Sequence, residues 1–84
     1  MARISSDLRE EFERDPNAIA NVIVMVQNEA ATYVGQMSAM GLSVRRTFTL
    51  IRGLALSGPA SAVLSLAAQP WVVSIEEDKP VHTM

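Results

Sequence analysis

The chain has 84 residues, a length that favours one small domain. It has no cysteine, which excludes a disulfide framework and cysteine-based metal sites, and its net charge of -2 argues against a nucleic-acid-binding protein. The first residues have no signal-peptide core and no apolar run is long enough to span a bilayer, so we expect a cytoplasmic protein without a membrane partner.

The first predicted element is a short helix over residues 5–14. Asp7 can cap it, and Glu10 three residues later completes the pattern of a capping box. Leu8 and Phe12 share one face of this helix. The helix therefore either packs on the domain or frays at the chain terminus, and we favour packing because both side chains are apolar.

Residues 21–26 are apolar at both parities, which is typical of a central strand. Asn28 can then cap a helix that ends near Met40, where Gly41 suits the left-handed residue that terminates helices. The buried stripe expected on this helix follows a period of 3.6 and consists of Ala30, Tyr33, Val34, Met37 and Met40.

From Leu42 the hydrophobic period changes to two, which predicts a strand interrupted by Arg46. A third strand over residues 51–56 follows a turn expected near residues 49–52. The apolar parity of the earlier strand consists of Leu42, Val44, Phe48 and Leu50.

Residues 57–59, Ser-Gly-Pro, predict a second helix of the domain, which Pro70 ends. A final strand is expected over residues 71–75. After the N-terminal helix the order is therefore β-α-β-β-α-β, which predicts an α+β, ferredoxin-like fold: a four-stranded antiparallel sheet with two helices on one face, plus the short N-terminal helix. The bare, partly apolar second face is a candidate partner surface.

The residues do not predict an enzyme. The single histidine, His82, lies near the C-terminus without a residue to orient its ring or a second ligand at suitable spacing, so we favour a solvated tail residue. We expect no catalytic residue, no metal and no cofactor. Arg45, Arg46 and Arg52 are interpreted as a solvated edge that discourages strand aggregation.

Glu76, Glu77 and Asp78 form the sharpest charge cluster. One interpretation is that these acids are simply the hydrophilic end of the strand. The other is that they bind a partner protein, with Glu76 and Asp78, which share parity, contacting the N-termini of helices in that partner. Unpaired N–H groups and the helix dipole favour negative charge at such termini. The spacing alone leaves both interpretations open.

Three segments of the chain resemble the subtilisin propeptide family of peptidase inhibitors. The terminal block is the most specific of them, because its Glu-Glu-Asp stands six residues before the last residue given. The resemblance covers residues 20–84 and points to a stand-alone inhibitor similar to the small fungal proteinase inhibitors. The segments are Val22-Ile23-Val24, Ile51-Arg52-Gly53-Leu54-Ala55 and Pro70-Trp71-Val72-Val73-Ser74-Ile75-Glu76-Glu77-Asp78.

The resemblance implies a subtilisin-like serine protease as partner and a free inhibitor that is a monomer. In that family the open sheet face packs on two protease helices, which here Glu76 and Asp78 would cap. The tail lies in the substrate cleft as an added strand, with its last residue in the main specificity pocket and the fourth from the end in the second apolar pocket. By this likeness the cleft-binding residues are Val81, His82, Thr83 and Met84.

The resemblance divides the chain into an N-terminal helical extension, residues 1–19, an inhibitor domain, residues 20–78, and an inhibitory tail, residues 79–84. Two alternatives remain. The same surfaces could serve a folding chaperone for a subtilisin-like protease encoded elsewhere. A ferredoxin-like regulatory or ligand-binding module is the third possibility.

Overall fold

The backbone pairs into a five-stranded sheet, seen in a computed structural model that describes residues 3–78. Three α-helices and one 3₁₀ segment accompany the strands of this described range. In chain order the elements are β1 Arg3–Ile4, α1 Ser6–Arg14, β2 Ile19–Val26, the 3₁₀ segment η1 Ala30–Tyr33, α2 Val34–Ala39, β3 Ser43–Thr47, β4 Gly53–Pro59, α3 Ala60–Ala67 and β5 Val72–Glu77.

The strand order is β1-β5-β2-β4-β3, and the sheet is mixed. β2 pairs antiparallel with β4 and β5, and β3 pairs antiparallel with β4, whereas β1 runs parallel to β5. The predicted four-stranded antiparallel, ferredoxin-like sheet is therefore wrong. A strand of two residues has no period that a sequence could reveal. It is specified by its pairing, Arg3 with Ser74 and Ile4 with Ile75, and by the packing of Ile4 against the core.

The core lies between one face of the sheet and the helices. Alternate residues of β2 point into it, as expected from the period of two in a strand. One cluster joins these strand residues to all three helices. Its most enclosed side chains are Met37, Leu54, Leu56, Leu66, Ile75, Val22, Val24 and Val63.

α1 packs on the domain, because Leu8 and Phe12 are both buried in this cluster. The packed alternative for this helix is thus the correct one. The predicted cap is wrong: Ser5, not Asp7, precedes the helix, and the backbone N–H of Leu8 donates to its Oγ at 3.1 Å. Asp7 instead lies in the first turn, where a negative charge is favoured by the helix dipole.

The segment predicted as one helix after β2 consists of η1 followed by α2. Asn28 does not cap it; its side-chain amide donates to the hydroxyl of Tyr33 at 2.9 Å. The Tyr33 ring stacks on Trp71, with centroids 4.4 Å apart and planes 8° from parallel. Gly41 ends α2 with φ +85°, and the N–H of Leu42 returns to the carbonyl of Met37 at 3.0 Å, so the predicted left-handed terminator is confirmed.

The β3–β4 hairpin differs from the prediction at both ends. The register shifts between Val44 and Arg46, so a bulge at Arg45 changes the parity of the later residues of this strand. β4 continues to Pro59, and α3 begins only at Ala60. The predicted helix start at residues 57–59 is wrong because Gly58 pairs with Ala20 within the sheet.

Gly58 is closely packed. A Cβ at this position would lie 2.7 Å from Cδ2 of Leu42 and 3.2 Å from the carbonyl oxygen of Gly41. The strand therefore passes the end of α2 so closely that a Cβ at residue 58 would require Leu42 or the backbone of Gly41 to shift. Within residues 3–78, no helix is both long and apolar enough to cross a membrane.

Candidate functional site

The candidate site is the face of the sheet turned away from the helices, which we call the open face. It is defined by the strand positions that alternate with the core positions. Its apolar centre consists of Ile23 and Met25, which are half-buried, and Ala55. The open face comprises Arg3 of β1, Ile19, Asn21, Ile23 and Met25 of β2, Ser43 and Arg46 of β3, Gly53, Ala55, Ser57 and Pro59 of β4, and Ser74 and Glu76 of β5.

One row of paired residues crosses four of the five strands on the open face, from β5 to β3. Glu76 pairs with Ile23, Ile23 pairs with Ala55, and Ala55 pairs with Arg46. The row therefore consists of an acid, two apolar residues and a base. Neighbouring strands lie about 4.8 Å apart, so the backbones at the two ends of the row are separated by roughly 14 Å.

A hollow of about 340 Å³ lies over the centre of this row. It forms because Ala55 is small, while the larger side chains around it stand above the sheet. Its lining mixes apolar and charged side chains, the charged ones being Asp78 after β5 and two arginines of β3. The lining residues are Ile23, Arg45, Arg46, Phe48, Ala55 and Asp78.

Glu76 and Asp78 lie at the end of β5 on the open face. Glu76 is exposed and pairs with Ile23, and Asp78 lines the hollow. The backbone N–H of Asp78 donates to the carbonyl of Asn21 at 2.9 Å, which extends the pairing of β5 with β2 by one residue. Both carboxylates are thus carried on paired backbone. Glu77, between them, pairs with Val22 on the other parity.

The three arginines of the hairpin are held by specific contacts. Arg45 donates from Nη1 to Oδ1 of Asn21 at 3.2 Å, reaching back across β4 to β2. The guanidinium carbon of Arg46 lies 5.9 Å from the ring centroid of Phe48. Arg52 donates from Nη1 to the carbonyl of Gln27 at 3.1 Å. All three side chains are exposed, as expected for a solvated edge, and these contacts are made at the surface.

The predicted cleft-binding residues lie outside the described residues. They are Val81, His82, Thr83 and Met84. The structure therefore locates only the base of the predicted tail, where β5 ends and Asp78 comes next. Among residues 3–78, no group of three or more His, Cys, Asp and Glu side chains is arranged to hold a metal ion.

Sequence reasoning missed the position of Phe48. Its parity with Val44 predicted a core residue, but its ring lies over Gly53 on the open face, where a Cβ at Gly53 would be 3.4 Å from Phe48 and 3.0 Å from Sδ of Met25. The bulge at Arg45 causes the change of face. The sequence signal for this bulge was the pair Arg45-Arg46. In a strand that alternates apolar and polar residues, two successive arginines must interrupt the alternation.

The fold and this face define a small α+β domain whose exposed sheet has an apolar centre, with Glu76 at the end of β5 and arginines on β3 and β1. In comparisons with known proteins, no family model matches the chain and no curated protein matches it either.

Proposed function

We propose that this protein inhibits a subtilisin-like serine protease, docking through the open face and placing its C-terminal tail in the substrate cleft. The observation that supports this function is the position of Glu76 and Asp78, carried by paired backbone at the end of β5 and beside the apolar centre of the open face. The resemblance of the terminal block to subtilisin propeptides points to the same partner.

The two carboxylates are proposed to cap helices of the protease. A carboxylate at a helix N-terminus contributes about 0.3–1 kcal/mol when exposed and up to about 2 kcal/mol when partly buried. These contacts orient the complex, while the apolar centre supplies buried area. An interface of roughly 1,600 Å² in total is expected for a specific complex of this kind.

The tail is proposed to act like a product that remains bound. It would add a strand to the cleft and place Met84 in the main specificity pocket, Val81 in the second apolar pocket, and His82 and Thr83 between them. A short free peptide would lose much of its binding energy to ordering. Docking of the open face would offset that loss because it would hold the end of β5, from which the tail continues in sequence, at the interface.

The test is inhibition of a broad-specificity subtilisin by the full chain and by a variant lacking residues 81–84. We expect the deletion to weaken inhibition by at least a hundredfold while the folded domain is retained. Equal inhibition by the truncated variant would remove the tail from the mechanism.

The acids are tested by Glu76→Gln and Asp78→Asn, with Glu13→Gln in the exposed part of α1 as a matched control. Each change at the end of β5 should raise the inhibition constant about two- to fivefold, the equivalent of about 0.3–1 kcal/mol. The control should leave it unchanged. We further propose that the free inhibitor is a cytoplasmic monomer without a cofactor, which sedimentation analysis and cell fractionation can test.

A further inference from the structure

The connection between β3 and β4, residues 48–52, carries two exposed apolar side chains at its tip. Leu50 is 97% exposed, and its neighbour Ile51 is 48% exposed. A leucine with almost its whole side chain in water contributes little hydrophobic stabilisation to the domain. The tip therefore offers an apolar side chain that another protein can bind without disturbing the core.

The backbone at this tip is paired at its margins and unpaired in the middle. The N–H of Phe48 donates to the carbonyl of Gly53 at 3.0 Å, and the N–H of Gly53 donates to the carbonyl of Ile51 at 3.0 Å. Within residues 3–78, no backbone hydrogen bond is made by Thr49 or Leu50, nor by the N–H of Ile51. The amide that joins Leu50 to Ile51 therefore has both its carbonyl and its N–H open to another molecule.

The strand that leads into this tip, β3, is weakly held. It lies at the edge of the sheet with β4 as its paired strand, and a bulge at Arg45 interrupts the pairing. Val44 is half-buried, and the other residues of the strand are exposed. Segments with few buried contacts open locally at a smaller free-energy cost than global unfolding. Opening of β3 therefore lengthens the accessible chain on the N-terminal side of Leu50.

Exposure of a side chain does not by itself select this position. Val73 is as exposed as Ile51, at 48%, but the residues on both sides of it pair with β2. Ile19 is exposed as well, and it pairs with Pro59. A peptide bound by β-augmentation adds its own backbone as a strand, which backbone already paired in a sheet cannot do. Of these positions, only the tip at Leu50 combines an exposed apolar side chain with unpaired backbone.

We propose that the Leu50–Ile51 bond is a site of limited proteolysis, cut by an endopeptidase whose specificity pocket accepts an apolar side chain. Leu50 occupies that pocket, and opening of β3 supplies the preceding residues that pair with the cleft. The cut consumes one water: the C–N bond breaks, Leu50 gains a carboxylate and Ile51 an ammonium group. β3, with Arg46 of the open face, is then joined to β4 by pairing alone. This inference goes beyond the proposed function and does not rest on it, because the cut requires neither the open face nor the tail.

The experiment digests the full chain with chymotrypsin and follows intact masses over time. Chymotrypsin has a hydrophobic specificity slot, and its fold is unrelated to that of subtilisin, so the result does not depend on the proposed inhibition. We expect the first products to be residues 1–50 and residues 51–84. Leu50→Asp should slow the first cut about tenfold or more, because a carboxylate is disfavoured in an apolar pocket, whereas Leu50→Phe should retain it. Urea denaturation verifies that both variants keep the stability of the parent chain.

A core variant separates local opening from global unfolding. Leu8→Ala loosens α1, which follows β1 at the opposite edge of the sheet from β3. If β3 opens locally, the rate of the first cut should change by less than about twofold in this variant. If the bond is reached only by global unfolding, the rate should rise by about 30- to 150-fold, following the expected loss of stability.

Several results would overturn this proposal. An initial cut elsewhere in the chain, for example after Tyr33 or Trp71, would place the accessible segment outside the β3–β4 connection. Equal rates for Leu50→Asp and the parent chain would show that Leu50 does not enter the pocket. A full chain that stays intact while its unfolded form is digested, or one whose cutting accelerates with Leu8→Ala, would show that the tip is not accessible in the folded domain.

Discussion

Replacing Leu8 with alanine tests whether α1 belongs to the folded domain. The side chain is only 7% exposed and lies in the main core cluster, although it comes from a helix near the chain terminus. The change removes three carbon atoms, which amounts to about 2.4 kcal/mol at about 0.8 kcal/mol per methylene. A cavity would add to this loss, whereas relaxation of a helix at the outer layer reduces that addition. We therefore expect a destabilisation of about 2–3 kcal/mol.

The matched control is Leu50→Ala, the same chemical change at a side chain that is 97% exposed. A domain of 84 residues has a total stability of about 4–13 kcal/mol, so the Leu8 variant should lose a large fraction of it. The assay is urea denaturation followed by far-UV circular dichroism. The corresponding decrease in Tm is about 10–20 °C. Variants of Leu8 and Leu50 that agree within about 0.5 kcal/mol would refute the packing of α1 on the core.

Two further pairs of variants test the backbone. Gly58→Ala should lower the free energy of unfolding by about 1–3 kcal/mol, because its Cβ would lie 2.7 Å from Leu42. Gly35→Ala in α2, where a Cβ meets nothing within 4 Å, should raise that free energy by up to about 1 kcal/mol. Chemical denaturation measures both variants, and equal effects would contradict the close packing of Gly58. Ser5→Ala should lower the free energy of unfolding by about 1 kcal/mol because the cap of α1 is lost, and Ser6→Ala should lower it much less. Thermal unfolding compares the two variants. A larger loss of stability with Ser6→Ala would show that Ser5 is not the cap.

The sequence indicated the buried side of most elements because periodicity records which residues meet the core. Leu8 and Phe12 are an example: their spacing predicted a packed face, and the structure buries both. The cap of the same helix was misassigned because Ser5 and Asp7 both have side chains able to accept from the first turn, and the backbone dihedrals decide between them.

The missed features depend on pairing that is not local in sequence. β1 consists of two residues whose conformation is set by Ser74 and Ile75, about seventy residues further along the chain. The change of face at Phe48 arises from the bulge at Arg45, which one extra residue in β3 produces. Of the candidate site, the sequence identified the acids at the end of β5, whereas the row joining Glu76 to Arg46 required the strand order.

The stacked rings of Tyr33 and Trp71 give the chain a built-in optical label. They are its only tyrosine and only tryptophan, and they join η1 to the residue that precedes β5. The fluorescence emission of Trp71 therefore reports on the contact between η1 and the start of β5, the strand that carries Glu76. A change in this contact can be followed by fluorescence in the unmodified chain. This is useful because the chain has no cysteine to which a dye could be attached.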